Sequence, residues 1–276
     1  LAAKPKLTNA AKPATFEVEA YNERGEMVPT AVAGEHPLTL YLDKREIVTL
    51  MTLGHAPEAL AIGYLRNQRL ADSIDDITAV QVDWETESCA ITTRSQKPLP
   101  SLDKKTVTTG CGQGTVFGDL MQEIDSVQLR QDVTLTDADL FVLLERVRKH
   151  ETIYKQAGAV HGCALASTAG EILMFVEDVG RHNAVDAIAG FMWLDDIDGS
   201  DKVFYTTGRL TSEMVIKCAQ MRIPFLVSRS GLTQMGHAIA QKVGITMLGR
   251  ASGRHYLAFT GKQRLVRTTP QPTALA

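Results

Sequence analysis

Apolar and polar positions first alternate at Phe16, Val18 and Ala20, a period of two that suits a half-buried strand. A second such run over 38–42 is followed by Asp43-Lys44-Arg45 and a further run over 46–51, which reads as a hairpin. Pro57 stands where the first turn of a helix tolerates it, and Leu60, Ala61, Tyr64 and Leu65 recur on one face, so the spacing predicts a helix over 57–68. Strand patterns return at 78–83 and 89–93 before Lys97-Pro98-Leu99-Pro100 breaks the periodicity, and 116–124 reads as a short helix. Helical spacing is clearest from Thr136 to His150, where Leu140, Leu143, Leu144 and Val147 form an apolar stripe.

Beyond residue 160 the two periods alternate. A hairpin is expected from 164–167 and 172–176, then a helix over 183–191, a strand at 203–206 and a helix over 212–221. A strand at 225–228, a helix over 234–243 and strands at 245–248 and 256–259 complete the chain. Such alternation predicts a three-layer α/β domain with a largely parallel sheet, over 131–276, behind a smaller α+β part over 15–130. Residues 1–14, rich in Ala, Lys and Pro, read as a mobile tail.

Composition narrows the function classes. A net charge of −3 does not indicate a protein that grips a nucleic-acid backbone. No apolar run approaches the ~18 residues of a membrane helix, and residues 1–14 lack the apolar core of a signal peptide, so a cytoplasmic protein without a membrane partner is expected. Cysteines at 89, 111, 163 and 218 are too scattered for a CxxC pair or a local zinc spacing, and no metal site is expected.

One cysteine is unlike the others. Cys111 lies in Gly110-Cys111-Gly112-Gln113-Gly114, with no apolar neighbour within three residues before it or four after it. Glycines on both sides provide unusual backbone angles and close approach, which suits a reactive thiol better than a packing residue. Cys89, Cys163 and Cys218 fall in predicted regular structure and read as packing.

Ligands of open α/β sheets bind beyond the carboxyl ends of strands. Three stretches fall there, each ahead of a predicted helix: residues 177–183 with Arg181 and His182, 206–212 with Gly208 and Arg209, and 228–233 with Arg229 and Gly231. A fourth follows the strand at 245–248 and holds Arg250, Ala251, Ser252, Gly253, Arg254 and His255. Backbone amides beside guanidinium groups favour an anion, here a phosphorylated or pyrophosphate compound. No P-loop or dinucleotide glycine fingerprint is present. A hydrolytic arrangement of Cys111, His182 and Asp186 is a weaker alternative, and the zinc deaminase pair of motifs is absent.

The block Glu177-Asp178-Val179-Gly180-Arg181-His182-Asn183-Ala184-Val185-Asp186 resembles the signature of the FdhD family of formate dehydrogenase accessory sulfurtransferases. The resemblance extends from Val48-Thr49-Leu50-Met51-Thr52 through Glu58-Ala59-Leu60-Ala61-Ile62-Gly63-Tyr64, the turn around His161, Gly208-Arg209 and Ser212-Glu213-Met214-Val215. It continues through Ile223-Pro224-Phe225-Leu226-Val227-Ser228 to Ile245-Thr246-Met247-Leu248-Gly249. It implies a cytidine-deaminase-like fold without zinc, a homodimer, and persulfide sulfur taken from a cysteine desulfurase. The sulfur would go to the molybdenum or tungsten bis(guanine dinucleotide) cofactor of formate dehydrogenase. Cys111 would be the carrier, and the stretch from Arg250 to His255, with Arg181, His182, Gly208 and Arg209, would hold the cofactor as substrate. The usual family loop reads Cys-Gly-x-Cys, whereas this one reads Cys111-Gly112-Gln113-Gly114. That leaves as alternatives a one-cysteine route, a relay through Cys163 or Cys218, and a chaperone that binds cofactor without transferring sulfur.

Overall fold

The computed structural model describes residues 4–96, 106–107, 114–115, 124, 127–150 and 152–268. Cys111 and the expected helix over 116–124, apart from Ile124, lie outside them. The chain divides into two compact units. The first combines residues 1–123, 151–163 and 176–197, and the second combines 124–150, 164–175 and 198–276.

The first unit is built on a five-stranded sheet, ordered β1-β6-β7-β4-β5, whose members are β1 (Lys6–Leu7), β4 (His36–Leu42), β5 (Arg45–Thr52), β6 (Ile77–Asp83) and β7 (Ser88–Thr93). The expected hairpin is β4–β5, with Leu38, Leu40, Leu42 and Leu50 fully or almost fully buried on its inner face. Strands β2 (Thr15–Tyr21) and β3 (Met27–Ala33) form a separate antiparallel ribbon. Short strands β8 (Thr106–Val107) and β9 (Gly114–Thr115) pair antiparallel.

Residues 4–14 depart from the expected mobile tail. β1 adds to the edge of β6, with Lys6 opposite Ala79. The Thr8 hydroxyl donates to the Val80 carbonyl (3.2 Å) and accepts from the Val82 amide (2.9 Å), while the Ala10 amide donates to Glu58 Oε1 (2.8 Å). Backbone groups make most of this attachment, so the segment's poor apolar content did not reveal it.

Helix α1 (Pro57–Asn67) begins with Pro57 in its first turn and Glu58 near its positive end. It is buried nearly all round because β6 and β7 cover one side and a second helix, Arg181–Leu194, covers another. The two helices approach until a methyl group cannot fit. A Cβ on Gly63 would lie 1.6 Å from the Asp186 carbonyl oxygen, and one on Gly190 would lie 1.9 Å from that of Ala59. Arg66 closes the contact, donating to the Ala189 carbonyl at 2.9 Å with its guanidinium 5.3 Å from the Trp193 ring centroid.

The second unit centres on a six-stranded sheet, ordered β12-β11-β13-β14-β15-β16. Short β10 (Leu135–Thr136) precedes α2 (Asp137–His150), and α3 (Ile153–Ala157) precedes β11 (His161–Ser167) and β12 (Ile172–Asp178). Then follow α4 (Arg181–Leu194), β13 (Lys202–Thr206), α5 (Ser212–Gln220), β14 (Phe225–Ser228), α6 (Gln234–Val243), β15 (Thr246–Ser252), β16 (His255–Ala258) and β17 (Leu265–Val266), which pairs with β10. β13, β14 and β15 are parallel and β16 returns antiparallel, so the sheet is mixed, with a parallel centre.

The stripe expected on α2 is core. Leu140, Leu143, Leu144 and Val147 pack with Ala164, Val203, Tyr205, Phe225, Val227 and Leu248 on one sheet face. Phe204, Leu226 and Met247, at the alternate positions, are fully buried on the opposite face. Whereas the sequence pattern set a boundary at 130/131, α4 falls in the first unit with α1.

Candidate functional site

The signature acids Glu177 and Asp178 end β12, and each is used as a clamp. Glu177 accepts from the amides of Thr152 (3.1 Å), Ile153 (3.0 Å) and Tyr154 (3.0 Å) and from the Thr152 hydroxyl (3.1 Å), so its carboxylate sits on the first turn of α3. Asp178 accepts from the Thr52 hydroxyl (2.6 Å) and the amides of Leu53 (3.1 Å) and Gly180 (3.0 Å), and from Asn183 Nδ2 (2.9 Å). Burial pushes the Asp178 carboxyl up, and these donors pull against it. Asn183 Nδ2 also donates to the Met51 carbonyl at 2.7 Å. The loop after β12 is thereby fixed to the end of β5. Thr52 and Asn183 were named in the sequence only as members of the resembling stretches and not as partners, since local pattern carries no sign of a contact more than a hundred residues away.

Arg181 and His182 differ from their expected setting. The helix begins at Arg181 rather than at 183, and the two side chains are only 4% and 2% exposed, inside the first unit. Asp186 is fully buried and accepts from Asn67 Nδ2 at 2.7 Å, a bond across the α1–α4 contact.

In the second unit, three of the expected loops meet at the carboxyl edge of the parallel strands. Thr206 lies opposite Ser228, and Val227 opposite Leu248, which brings the strand ends level. The Ser228 hydroxyl donates to the Gly208 carbonyl (2.6 Å), and the Leu210 amide donates to that of Gly231 (3.0 Å). The Thr233 amide returns to the Leu210 carbonyl (3.1 Å), and the Arg250 amide donates to that of Ser230 (2.9 Å). Gly208, Arg209, Arg229 and Arg250 thus stand on one bonded scaffold.

The last of these stretches is not a loop as expected, because β15 runs on to Ser252. Arg250 has φ +52° at an irregularity in the β15–β16 register between Gly249 and Ser252. A bulge there re-aims a side chain at a sheet edge. Ala251 is buried, while Gly253 and Arg254 form a two-residue turn between Ser252 and His255, with φ positive at Gly253 (+59°). Arg209, Arg250 and Arg254 are exposed, and among the described residues none of their guanidinium groups has a hydrogen bond or ion pair.

Thr211 precedes α5 but does not cap it, and its buried hydroxyl has no hydrogen-bond partner among the described residues. Thr233, at the matching place before α6, accepts from the Gly236 amide at 3.2 Å. The edge therefore offers positive charge and hydroxyl groups to an anionic ligand.

Cys89, Cys163 and Cys218 are all fully buried and free of disulfides. Burial pushes the Cys89 thiol up to about 12, helped by the charge of Glu58, and pushes Cys218 higher still. Neither thiol ionises at neutral pH while it stays buried, and Cys163 is fully buried as well. Cys111, the expected carrier, lies outside the described residues. No helix among the described residues is long and apolar enough to cross a membrane.

The chain is 28% identical over 254 residues to a protein of Listeria monocytogenes serovar 1/2a named sulfur carrier protein FdhD, covering 91% of this chain and 95% of that one. It is 29% identical over 252 residues to a protein of the same name from Sulfurisphaera tokodaii, covering 89% and 95%. A crystal structure described as a putative formate dehydrogenase accessory protein from Desulfotalea psychrophila superposes with a TM-score of 0.75 at 25% identity, covering 92% of this chain and all of that one. The profile of the FdhD/NarQ family spans residues 33–266, from before the β4–β5 hairpin to β17, and takes in both the clamped signature and the arginine-bearing edge. By that span, and by the fold that carries it, the chain belongs to the FdhD/NarQ family.

Proposed function

We propose that this protein is a sulfur carrier needed for formate dehydrogenase activity, and that Cys111 is its carrier atom. The Cys111 thiolate attacks the outer sulfur of a persulfide on a cysteine desulfurase, and the desulfurase thiolate leaves. The sulfane sulfur then passes to the metal of the molybdenum bis(guanine dinucleotide) substrate, and the electron pair of the broken S–S bond returns to Cys111 as thiolate. The two electrons that make the transferred atom a sulfido ligand come from the reduced metal, Mo(IV) becoming Mo(VI). The observation that carries this reading is the burial of every described cysteine, which leaves Cys111 as the candidate nucleophile.

The cofactor is the substrate, and its pyrophosphates suit the edge where Arg209, Arg250 and Arg254 stand exposed beside Gly208, Ser252, Gly253 and His255. Arg181 and His182, also expected as contacts, are buried in α4, and the reading rests on the exposed set. Kinship of the mixed sheet with the cytidine deaminase fold, and a homodimeric assembly, belong to the same proposal. Gly114 in place of the second loop cysteine favours a second reading, a chaperone that binds the cofactor without carrying sulfur.

An intact-mass spectrum, recorded without reductant after incubation with a cysteine desulfurase and cysteine, separates the two. A gain of about 32 Da that is absent in Cys111→Ala supports the carrier, as expected for one added sulfur. No gain in the wild-type chain, with nucleotide binding intact, supports the chaperone.

A further inference from the structure

The first unit is acidic, with 23 Asp and Glu against 14 Lys and Arg, whereas the second has 9 against 15. The difference suits the second to an anionic substrate and the first to a basic surface. Large exposed apolar side chains of the first unit gather on the β2–β3 ribbon, which supplies Phe16, Val18, Tyr21, Met27 and Val32, beside Met51 and Tyr154 elsewhere. Among the described residues the ribbon pairs with no further strand, although α3 lies against both of its members. A two-stranded ribbon is marginal by itself in water, and apolar side chains exposed together mark an interaction site.

The tip of the ribbon carries the most exposed of them. Tyr21 and Met27 stand directly opposite each other in the register, 74% and 54% exposed. The period of two places Glu17 and Glu19 behind Tyr21 on the same face, where both are exposed and have no hydrogen bond or ion pair among the described residues. The turn between the strands is held by Asn22. Its Oδ1 accepts from the amides of Arg24 (2.9 Å) and Glu26 (3.0 Å), and its Nδ2 donates to Glu26 Oε2 (2.9 Å). The Asn22 amide also donates to the Glu26 carbonyl at 3.0 Å. A Cβ on Gly25 would meet nothing within 4 Å, so the turn takes its order from these bonds and not from packing. Tyr21 and Met27 are presented in one arrangement before any partner arrives, which lowers the cost of binding.

A tyrosine and a methionine beside two carboxylates fit an apolar pocket rimmed by lysine or arginine. A second copy of this chain would meet the tip with the same carboxylates, and like charge opposes that pairing. Formate dehydrogenase, on the proposed reading, takes the cofactor from the arginine-bearing edge, which belongs to the second unit. We infer that the tip of the β2–β3 ribbon docks the sulfur-donating cysteine desulfurase, with Tyr21 and Met27 in an apolar pocket of its surface and Glu17 and Glu19 against basic groups at the rim. The inference rests on the carrier reading and adds to it the surface that receives the donor.

Calorimetric titration of the full chain with the cysteine desulfurase, at about 50 mM and about 300 mM sodium chloride, tests it. Wild-type affinity is expected to fall at the higher salt. Tyr21→Ala with Met27→Ala should weaken binding by about thirtyfold or more, the scale of a buried aromatic anchor. Glu17→Lys with Glu19→Lys should weaken it by about tenfold at low salt and flatten the salt dependence. All four side chains are exposed, so urea midpoints should stay at the wild-type value, and the charge variant reports on docking even if the tip variant alters the ribbon. Sulfur loading by limiting desulfurase, read by mass, should slow in both variants, while loading of Cys111 from glutathione persulfide stays as in wild type. Wild-type desulfurase affinity in both variants would overturn the docking surface and leave the carrier reading in place. Dissociation of a dimer in the tip variant, with desulfurase affinity unchanged, would assign the ribbon to a second copy and overturn it equally. A wild-type chain that neither binds the desulfurase nor gains sulfur would overturn both.

Discussion

A thiol carries sulfur only from its thiolate form, and each cysteine's surroundings decide how much of that form exists. With its thiol raised to about 12, Cys89 is ionised in only about one molecule in a thousand at pH 9. An exposed thiol of ordinary pKa, about 8.5, goes from a few per cent thiolate at pH 7 to a majority at pH 9. The sign of the shift therefore separates the cysteines: raising the pH speeds an accessible thiol and leaves the buried ones silent. Titration of the native protein with Ellman's reagent between pH 7 and 9 is expected to count one thiol, accelerating with pH, and none in Cys111→Ala. All four cysteines of the sequence should appear in concentrated guanidinium chloride. A second fast thiol in the native chain would show that Cys163 or Cys218 opens often enough to serve as a relay.

Among the described glycines, those of the α1–α4 contact approach a neighbouring element most closely, backbone against backbone. At Gly63 a methyl group would stand 1.6 Å from the Asp186 carbonyl oxygen, which belongs to helix backbone and cannot swing aside. Gly63→Ala is therefore expected to cost more than about 3 kcal/mol by overpacking, or to prevent folding. Gly231→Ala, where a Cβ meets nothing within 4 Å, should change stability by less than about 0.5 kcal/mol when both variants are unfolded in urea. Similar midpoints for the two variants would refute the close packing. The sequence showed α1 as a helix with one apolar face, and the structure buries both sides because Ala59 and Gly63 meet α4. The alternation of strands and helices after residue 160 was legible for the same reason that the α2 stripe was, since burial on one or two faces writes a period into the chain. β1, β3 and α3 left no such mark. Lys6–Leu7 pairs through backbone groups, β3 stands largely exposed, and α3 is a single short turn anchored by a carboxylate from another strand. At the site, the arginines on strand-to-helix loops could be read from their neighbours, whereas the burial of Arg181 and His182 depends on where the helix starts.

The molecule as a whole does not divide where its sequence changes pattern. Each unit is assembled from three separated stretches, and the chain passes from one unit to the other at 123/124, 150/151, 163/164, 175/176 and 197/198. A cut at 130/131 leaves 1–130 without α4, so the face of α1 that holds Gly63 is uncovered. It also removes the Asp178 carboxylate from Thr52 and the Leu53 amide. The other fragment, 131–276, keeps α4 but loses α1, and Ala184, Val185, Ala187 and Ile188 are among the residues of that helix buried in the intact chain. Its remaining core around α2 is complete, since Leu140, Leu143, Val203 and Phe225 all lie within the fragment. The two fragments should therefore fail differently. The 1–130 fragment is expected to show no cooperative thermal transition, while 131–276 should keep secondary structure but self-associate through the exposed helix, because an apolar face of that size seeks cover. Mixing them during refolding should restore a single transition if the α1–α4 contact is the missing piece, and Gly63→Ala in the first fragment should abolish the rescue. A monomeric 131–276 fragment that unfolds cooperatively by itself would mean that α4 needs no partner, and that the boundary suggested by sequence pattern was the physical one.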